Sequence, residues 1–321
     1  MLNIGLIGLG AEWERAFGPA LAELRRRLRV RCVYAPVATR AEQAAAELDC
    51  EIADGMLALL EREEVRAVLV LDSAWYAQLP AQLACHVGKP AFIAAPLGPR
   101  LPIAEPLLRH AAEAGITLMA DFRSRYTPAT SRLRELLATR LGRATSIVVE
   151  PGTPGFEAEE LLPGQIAREL LASTIDWCAN LVGTSAISVR AAQNAAEGRA
   201  GALEAGLEFR RSAAGDAPTT ASIRIDLADL CAQANRGAAE TGVPFRAAIR
   251  CTKGTAVIDG PRRIRWESEG ESRNELLESD RGAVQVMLDH FTRRVVGGLI
   301  PVPTLDDAVR AFQLADAALA D

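Results

Sequence analysis

The stretch LNIGLIGLGAEWER, Leu2 to Arg15, decides how this chain is read. A short apolar run, Leu2 to Ile7, enters Gly8-Leu9-Gly10, and an amphipathic helical pattern follows. This is the order of strand, tight turn and first helix in a dinucleotide-binding βαβ unit. In such a unit the first glycine permits the turn, and the second lets the backbone approach a pyrophosphate. The helix N-terminus beyond supplies free N–H groups and a partial positive charge. The third glycine of the pattern, which allows close helix–strand packing, is absent; its place falls on Trp13 or Glu14. A bare G-x-G also occurs in βα turns that bind nothing, so these residues alone leave both readings open.

The alternation continues outward from that turn. Further apolar, β-type runs are Val30–Ala35, Ala67–Leu71, Ala91–Ala95 and Ile116–Met119. Helical patterns lie between them at Ala16–Leu28, Arg40–Leu48, Met56–Glu61, Ala77–His86 and Ala104–Ala114. Strands this apolar, separated by helices, form a parallel sheet covered on both faces, and right-handed crossovers make it doubly wound. After Asp121 the pattern changes. Helices are expected at Thr127–Leu137 and Gln165–Val182, a strand at Ser146–Val149, and a loop at Pro151–Pro163. Alternating strands follow at Ile187–Ala192, Glu204–Arg210, Thr220–Asp226, Pro244–Arg250, Thr255–Asp259 and Ile264–Trp266. Two helices close the chain, Ala283–Val296 and Thr304–Leu319, with Thr304 as N-cap and Asp307 three residues on. The fold class is α/β: a Rossmann-like domain over 1–121 and a second domain over 122–321. The second is α+β with an open, mostly antiparallel sheet, and the tail helices are expected to pack back on the first domain.

Composition narrows the function. A chain of 321 residues is long enough for two domains and a large core. A net charge of −5, with basic and acidic residues interspersed, argues against a nucleic-acid surface. The six cysteines show no metal-ligand spacing and read as buried thiols in a reducing compartment. No metal site is expected. Met1 opens almost directly into the first strand, leaving no room for a signal peptide, and no apolar run has transmembrane length. A cytoplasmic protein with no membrane partner is the expectation.

Ligands in doubly wound sheets bind beyond the C-terminal strand ends. Those ends carry Gly8, Gly10 and Ala11; Tyr34-Ala35-Pro36; Asp72, Ser73, Trp75 and Tyr76; and Ala94-Ala95-Pro96. The second strand end usually bears an acidic residue for the adenosine ribose, but here it bears Ala35. Its loss weakens the case for NAD and removes a repulsion against NADP. Arg40 is either an arm toward a 2′-phosphate or an ordinary solvent-facing helix residue. Trp75 and Tyr76 either stack on a ring or cap a helix with apolar surface. In the second domain Glu169, Ser173, Asp176 and Asn180 form one helical stripe opposite Ile166, Leu170, Trp177 and Leu181. That stripe is either a ligand surface or a solvated helix face.

The chain resembles the Gfo/Idh/MocA oxidoreductases, relatives of glucose–fructose oxidoreductase and inositol dehydrogenase, nearly from end to end. The resemblance rests on IGLIGLG at the start, GKPAFIAAPLG at Gly88–Gly98, DFRSRYTPATSRLRELL at Asp121–Leu137, and ELLASTIDWCANLVG at Glu169–Gly183. KGTAVIDG at Lys253–Gly260 and the tail LDHFTRRVVGGLIPVPTLDDAVRAFQLADAA continue it. It implies an N-terminal Rossmann domain that binds NAD or NADP and a C-terminal domain whose open sheet pairs subunits into a homo-oligomer. The implied substrate is a small sugar- or polyol-like molecule. It places substrate near Arg123, Arg125 and Tyr126, where the arginines either clamp an anion or bridge domains.

The departures from the family are as informative. Family enzymes end the fourth Rossmann run with Glu-Lys-Pro; here the residues are Ala94, Ala95 and Pro96. The family's Asp-x-x-x-His pair falls on Glu169 and Ser173, and its Asn-His segment on Ala74 and Trp75. Removing hydride from a carbinol requires loss of the hydroxyl proton, which a lysine and a nearby base assist. Ala95 and Ser173 supply neither, so Glu169 is the remaining candidate acid or base. Lys89 precedes its strand, Lys253 sits in a hairpin, and His86, His110 and His290 lie away from the expected cleft. Three readings follow: an NAD(P)-dependent oxidoreductase with rearranged catalytic groups, a non-catalytic ligand-binding descendant, and a structural subunit.

Overall fold

The computed structural model describes residues 1–10, 12–72, 76–95, 97, 104–152, 163–184, 186–194, 202–209, 218–226 and 245–320. The chain divides into two compact units. The first comprises Met1–Asp121 and Val284–Val309, the second Phe122–Ala283 and Arg310–Asp321.

The first unit is built on six parallel strands: β1 (Leu2–Ile7), β2 (Leu28–Tyr34), β3 (Glu51–Ile52), β4 (Ala67–Val70), β5 (Ala91–Ile93) and β6 (Leu118–Ala120). Their order across the sheet is β3-β2-β1-β4-β5-β6. The order reverses beside β1, which opens a crevice past the strand ends. The helices between them are α1 (Gly18–Glu23), α2 (Ala38–Leu48), α3 (Met56–Leu60), α4 (Leu79–His86) and α5 (Ala104–Glu113). Every residue of β4 and β5 is buried, as covering on both faces requires. The tail helix α8 (Ala283–Val295) closes the core with a run of edge-on rings: Phe17 to Phe92 at 6.0 Å and Phe92 to Phe291 at 6.2 Å. Asp289 of α8, fully buried, pairs with Arg27 and Arg293.

Two expectations for this unit change. The first helix is not continuous over Ala16–Leu28. A π-helical turn at Trp13–Phe17 precedes the short α1, which ends at Glu23, and β2 begins at Leu28. Pro19 has no N–H to give the preceding turn, so the ladder restarts there. The sheet gains a two-residue β3, whose residues are both exposed and carry no apolar period that the sequence could show.

The second unit holds an eight-stranded sheet in the order β14-β13-β12-β11-β7-β10-β9-β8. The strands are β7 (Ala144–Glu150), β8 (Ala186–Asn194), β9 (Ala202–Phe209), β10 (Thr219–Asp226), β11 (Arg246–Cys251), β12 (Gly254–Asp259), β13 (Arg263–Ser268) and β14 (Glu271–Leu276). Pairing is antiparallel except between β7 and β10. One face is packed beneath α6 (Pro128–Leu136) and α7 (Pro163–Val182); the other alternates out to exposed side chains. The unexpected β14 is polar and largely exposed, so it lacks an apolar signal. It is created by a two-residue hairpin at Glu269-Gly270, both with positive φ (53° and 81°). The last helix, α9 (Leu305–Ala320), begins at the expected cap: Thr304 N–H donates to Asp307 Oδ2 at 2.9 Å, and Asp307 N–H donates to Thr304 Oγ1 at 3.2 Å. The expected loop at Pro151–Pro163 falls mostly outside the described residues.

Candidate functional site

In the first unit, β1 ends on Gly8, whose φ of +75° few residues other than glycine adopt cheaply. Its N–H donates to Tyr34 O at 2.8 Å. A Cβ on Gly8 would stand 2.3 Å from Asp72 O, and one on Gly10 would stand 3.2 Å from Asp72 Cβ. Asp72, just past β4, is therefore packed against the glycine turn. That approach requires glycine at Gly8, and at Gly10 it leaves a Cβ little room. Trp13, in place of a third glycine, is accommodated by Gly18: a Cβ there would stand 3.1 Å from Trp13 O and 3.6 Å from its indole. Ala11 and Ser73, together with Ala74, Trp75 and Pro96, lie outside the described residues.

Arg40, near the start of α2, donates from Nη1 to Leu9 O at 3.0 Å, which fixes its guanidinium beside the turn. Tyr34, the last residue of β2, meets Tyr76 hydroxyl to hydroxyl at 3.0 Å, with ring centres 6.4 Å apart. This bond joins residues from the ends of β2 and β4, the strands on either side of β1. The hydrogen bond from Tyr34, helped by burial, pushes the Tyr76 phenol above its ordinary range. At the end of β5, Ala95 N–H points to Asp121 Oδ2 at a long 3.4 Å, and Asp121 is only 4% exposed. The sequence marks Tyr34 only as part of a strand end, without a role, and does not mark Asp121 as a site residue. Tyr34 is concealed by its place inside an apolar strand run, and Asp121 by its place at a domain boundary.

Lys89 donates to Arg62 O at 2.6 Å before β5 begins, and burial lowers its pKa. It belongs to the opposite edge of the sheet from these strand ends.

In the second unit, α7 carries the stripe of Glu169, Ser173, Asp176 and Asn180. It is not a solvated face. Glu169 is 6% exposed and Asp176 3%, while Ser173 and Asn180 are half-buried. Asp176 is covered by Arg125 of the preceding 3₁₀ turn, a contact that the periodicity of α7 alone does not reveal. Ser173 donates its hydroxyl to Leu170 O at 3.1 Å, a local bond that offers no base. Asp176 accepts two bonds from Arg125, one from Nε at 2.7 Å and one from Nη2. The Arg125 guanidinium also lies over Phe122, 5.7 Å from the ring centre. Arg125 thus forms an ion pair inside its own unit. Tyr126 is buried and Arg123 half-buried in the same 3₁₀ turn, Arg123–Tyr126. The next residue, Thr127, caps α6: Thr130 N–H donates to its Oγ1 at 3.2 Å. Trp177 Nε1 donates to Thr130 Oγ1 at 3.0 Å, which ties α7 to α6. Glu169 lies in the field of Arg168, which is itself paired with Asp316.

Among the described residues no cluster of histidine, cysteine and carboxylates has the makings of a metal site, and no helix is long and apolar enough to cross a membrane. The buried thiol of Cys85 and the half-buried thiol of Cys251 are each pushed up to about 11 by desolvation, which makes poor nucleophiles of them.

A glycine turn at the switch point of a six-stranded parallel sheet is the decisive feature, and sequence comparison agrees. Residues 2–122 match the Gfo/Idh/MocA family. That family is described as an oxidoreductase family with an NAD-binding Rossmann fold. No curated protein matches the chain. Among solved structures, the chain is similar to UDP-N-acetylglucosamine 3-dehydrogenase from Acidithiobacillus ferrooxidans, at 20% identity and a TM-score of 0.75, covering 99% of this chain and 96% of that one. Aldose-aldose oxidoreductase from Caulobacter crescentus, complexed with glycerol, is similar at 17% identity and a TM-score of 0.77, with the same coverage. So is an NAD binding oxidoreductase from Klebsiella pneumoniae, at 17% identity and a TM-score of 0.76, again over 99% and 96% of the two chains. At these identities the structural likenesses establish the fold.

Proposed function

We propose that this chain is an NAD(P)-binding protein of the Gfo/Idh/MocA kind that takes a sugar- or polyol-like ligand, with the usual dehydrogenase groups replaced. The carrying observation is the Gly8–Gly10 turn at the end of β1, held open between β2 and β4. A glycine turn at this place is the type of backbone that holds a pyrophosphate, and Arg40, fixed to Leu9 O, stands beside it with no carboxylate at the end of β2. A 2′-phosphate would meet a cation there rather than an acid, so NADP is favoured over NAD. Bound NAD(P) would supply a hydride acceptor; the chain must then place a carbinol carbon and take its hydroxyl proton.

For that second task the residues are weak. Ala95 carries no ammonium, the Ser173 hydroxyl is spent on Leu170 O, and Asp176 is tied to Arg125. Glu169 is the candidate proton acceptor that the family resemblance leaves, and its part in the reaction rests on that resemblance alone. The same replacements favour a second reading, a non-catalytic ligand-binding or structural partner subunit. In either reading the open face of the second unit's sheet is the surface for a homo-oligomer. Val148, Ala248 and Val257 form a cross-strand row there, flanked by Glu150, Arg246, Asp259 and Arg263. Mixed charges around an apolar strip suit a self-complementary contact.

Titration with NADH and NADPH, followed by nicotinamide fluorescence, tests the proposal. Saturable binding near micromolar concentration supports it, and absence of binding by both removes it. Turnover across sugars and polyols separates the two readings. Activity that arises only in an Ala95→Lys/Ser173→His variant identifies the non-catalytic one.

A further inference from the structure

Three unusual features fall on adjacent residues at the start of α4. Tyr76 is tied to Tyr34. Ala77 holds a left-handed φ of 47°, a conformation that residues with a Cβ rarely adopt. Gln78 is only 7% exposed, and its Oε1 is buried with no hydrogen-bond partner. It holds the N-cap position of α4, yet its side chain caps nothing. Tyr76 O accepts from Leu79 N–H at 3.0 Å, so the backbone closes its own turn without help from Gln78. A buried glutamine acceptor left unmet is costly and rare in a folded protein. The segment follows β4, beside the crevice where doubly wound sheets bind ligands.

We infer that Gln78 is a ligand-binding residue whose side-chain carbonyl accepts a hydrogen bond from the amide of the nicotinamide carboxamide. This rests on the proposed NAD(P) binding and adds the residue that would hold the reactive end of the cofactor. In the free protein the acceptor is shut in and unsatisfied. A rotation of the Gln78 side chain, with relaxation of Ala77, would bring it to a donor. The Tyr34–Tyr76 bond holds the segment until then. The adenosine half of the cofactor has no amide of this kind, so ADP-ribose would not engage Gln78.

The test compares wild type with Gln78→Met by thermal melting without ligand and by titration with NADH, NADPH and ADP-ribose. The variant is expected to melt at or above wild type, because an orphaned buried acceptor has gone. Its affinity for the reduced dinucleotides is expected to fall about fivefold, the worth of one neutral hydrogen bond, with ADP-ribose unchanged. Unchanged NADH and NADPH affinity overturns the inference and leaves Gln78 as the partner of an ordered water. Equal loss for all three ligands overturns it as well, because the effect is then on the fold of the site. Wild type that binds ADP-ribose and both dinucleotides equally well also counts against it. Wild type that binds none of the three overturns the proposed function and this inference with it. Should Gln78→Met fail to fold, Gln78→Leu provides the same comparison.

Discussion

The Arg125–Asp176 pair gives the sharpest test of how the second unit is held together. The Asp176 side chain is 3% exposed and that of Arg125 14%, so both charges have left most of their water. Replacing Arg125 with Met keeps the stem and removes the guanidinium, leaving a buried carboxylate. Breaking a buried pair in this way costs about 3–5 kcal/mol, whereas an exposed pair costs about 0–1 kcal/mol. The assay is urea unfolding followed by tryptophan fluorescence, with Trp177 and Trp266 reporting the second unit. Arg125→Met is expected to lower stability by about 3–5 kcal/mol, and the double variant Arg125→Met/Asp176→Leu by no more than about 1 kcal/mol. The difference is the coupling, and the double-mutant cycle reads it directly. An Arg125→Met cost below about 1 kcal/mol, or a double variant as unstable as the sum of the singles, refutes the reasoning. In that case Arg125 would be available to hold a substrate anion, as the resemblance implied.

Other consequences follow from the same geometry. Gly8→Ala forces a positive φ on alanine and sets its Cβ 2.3 Å from Asp72 O, so calorimetry should show a loss of at least about 2 kcal/mol in the first unit. Gly10→Ala meets Asp72 Cβ at 3.2 Å, a gentler contact; its stability loss should be smaller, with the larger effect on NADPH affinity. Tyr34→Phe removes the bond that raises Tyr76, so ultraviolet titration should show Tyr76 ionising at a lower pH than it does in wild type, and an unmoved Tyr76 would exclude the bond as the cause. Glu275 is held below the ordinary glutamate range by the hydrogen bonds from Arg132, at 2.7 and 2.9 Å. A depressed carboxylate stabilises the fold above its unfolded pKa, and that contribution is lost as pH falls through the folded value. Unfolding measured between neutral pH and pH 3 should therefore be less acid-sensitive in Glu275→Gln than in wild type, and equal sensitivity would exclude Glu275 as a contributor.

The sequence by itself determined the parallel sheet. β1 spans the very residues of the apolar run that precedes Gly8, and the Thr304 and Asp307 cap is visible in the spacing of two residues. Those features are local: apolar period, turn chemistry and capping all act within a few residues. The sequence also named Gly8 and Gly10 as a turn at a strand end, and residues 2–122 match an NAD-binding Rossmann family. What it could not give was anything set by residues far apart in the chain. The need for glycine at Gly8 and Gly10 comes partly from Asp72, some sixty positions away, and the Tyr34–Tyr76 bond spans 42 residues. The polar stripe of α7 reads equally as a ligand surface or a solvated face until Arg125 is set against Asp176, because helical period describes faces and not what covers them. β14 exists through a two-residue hairpin and backbone pairing with β13, with no apolar side to announce it. Arg125 had two readings in one dimension; only the tertiary structure set it against Asp176, where the loss of water from both charges makes each require the other.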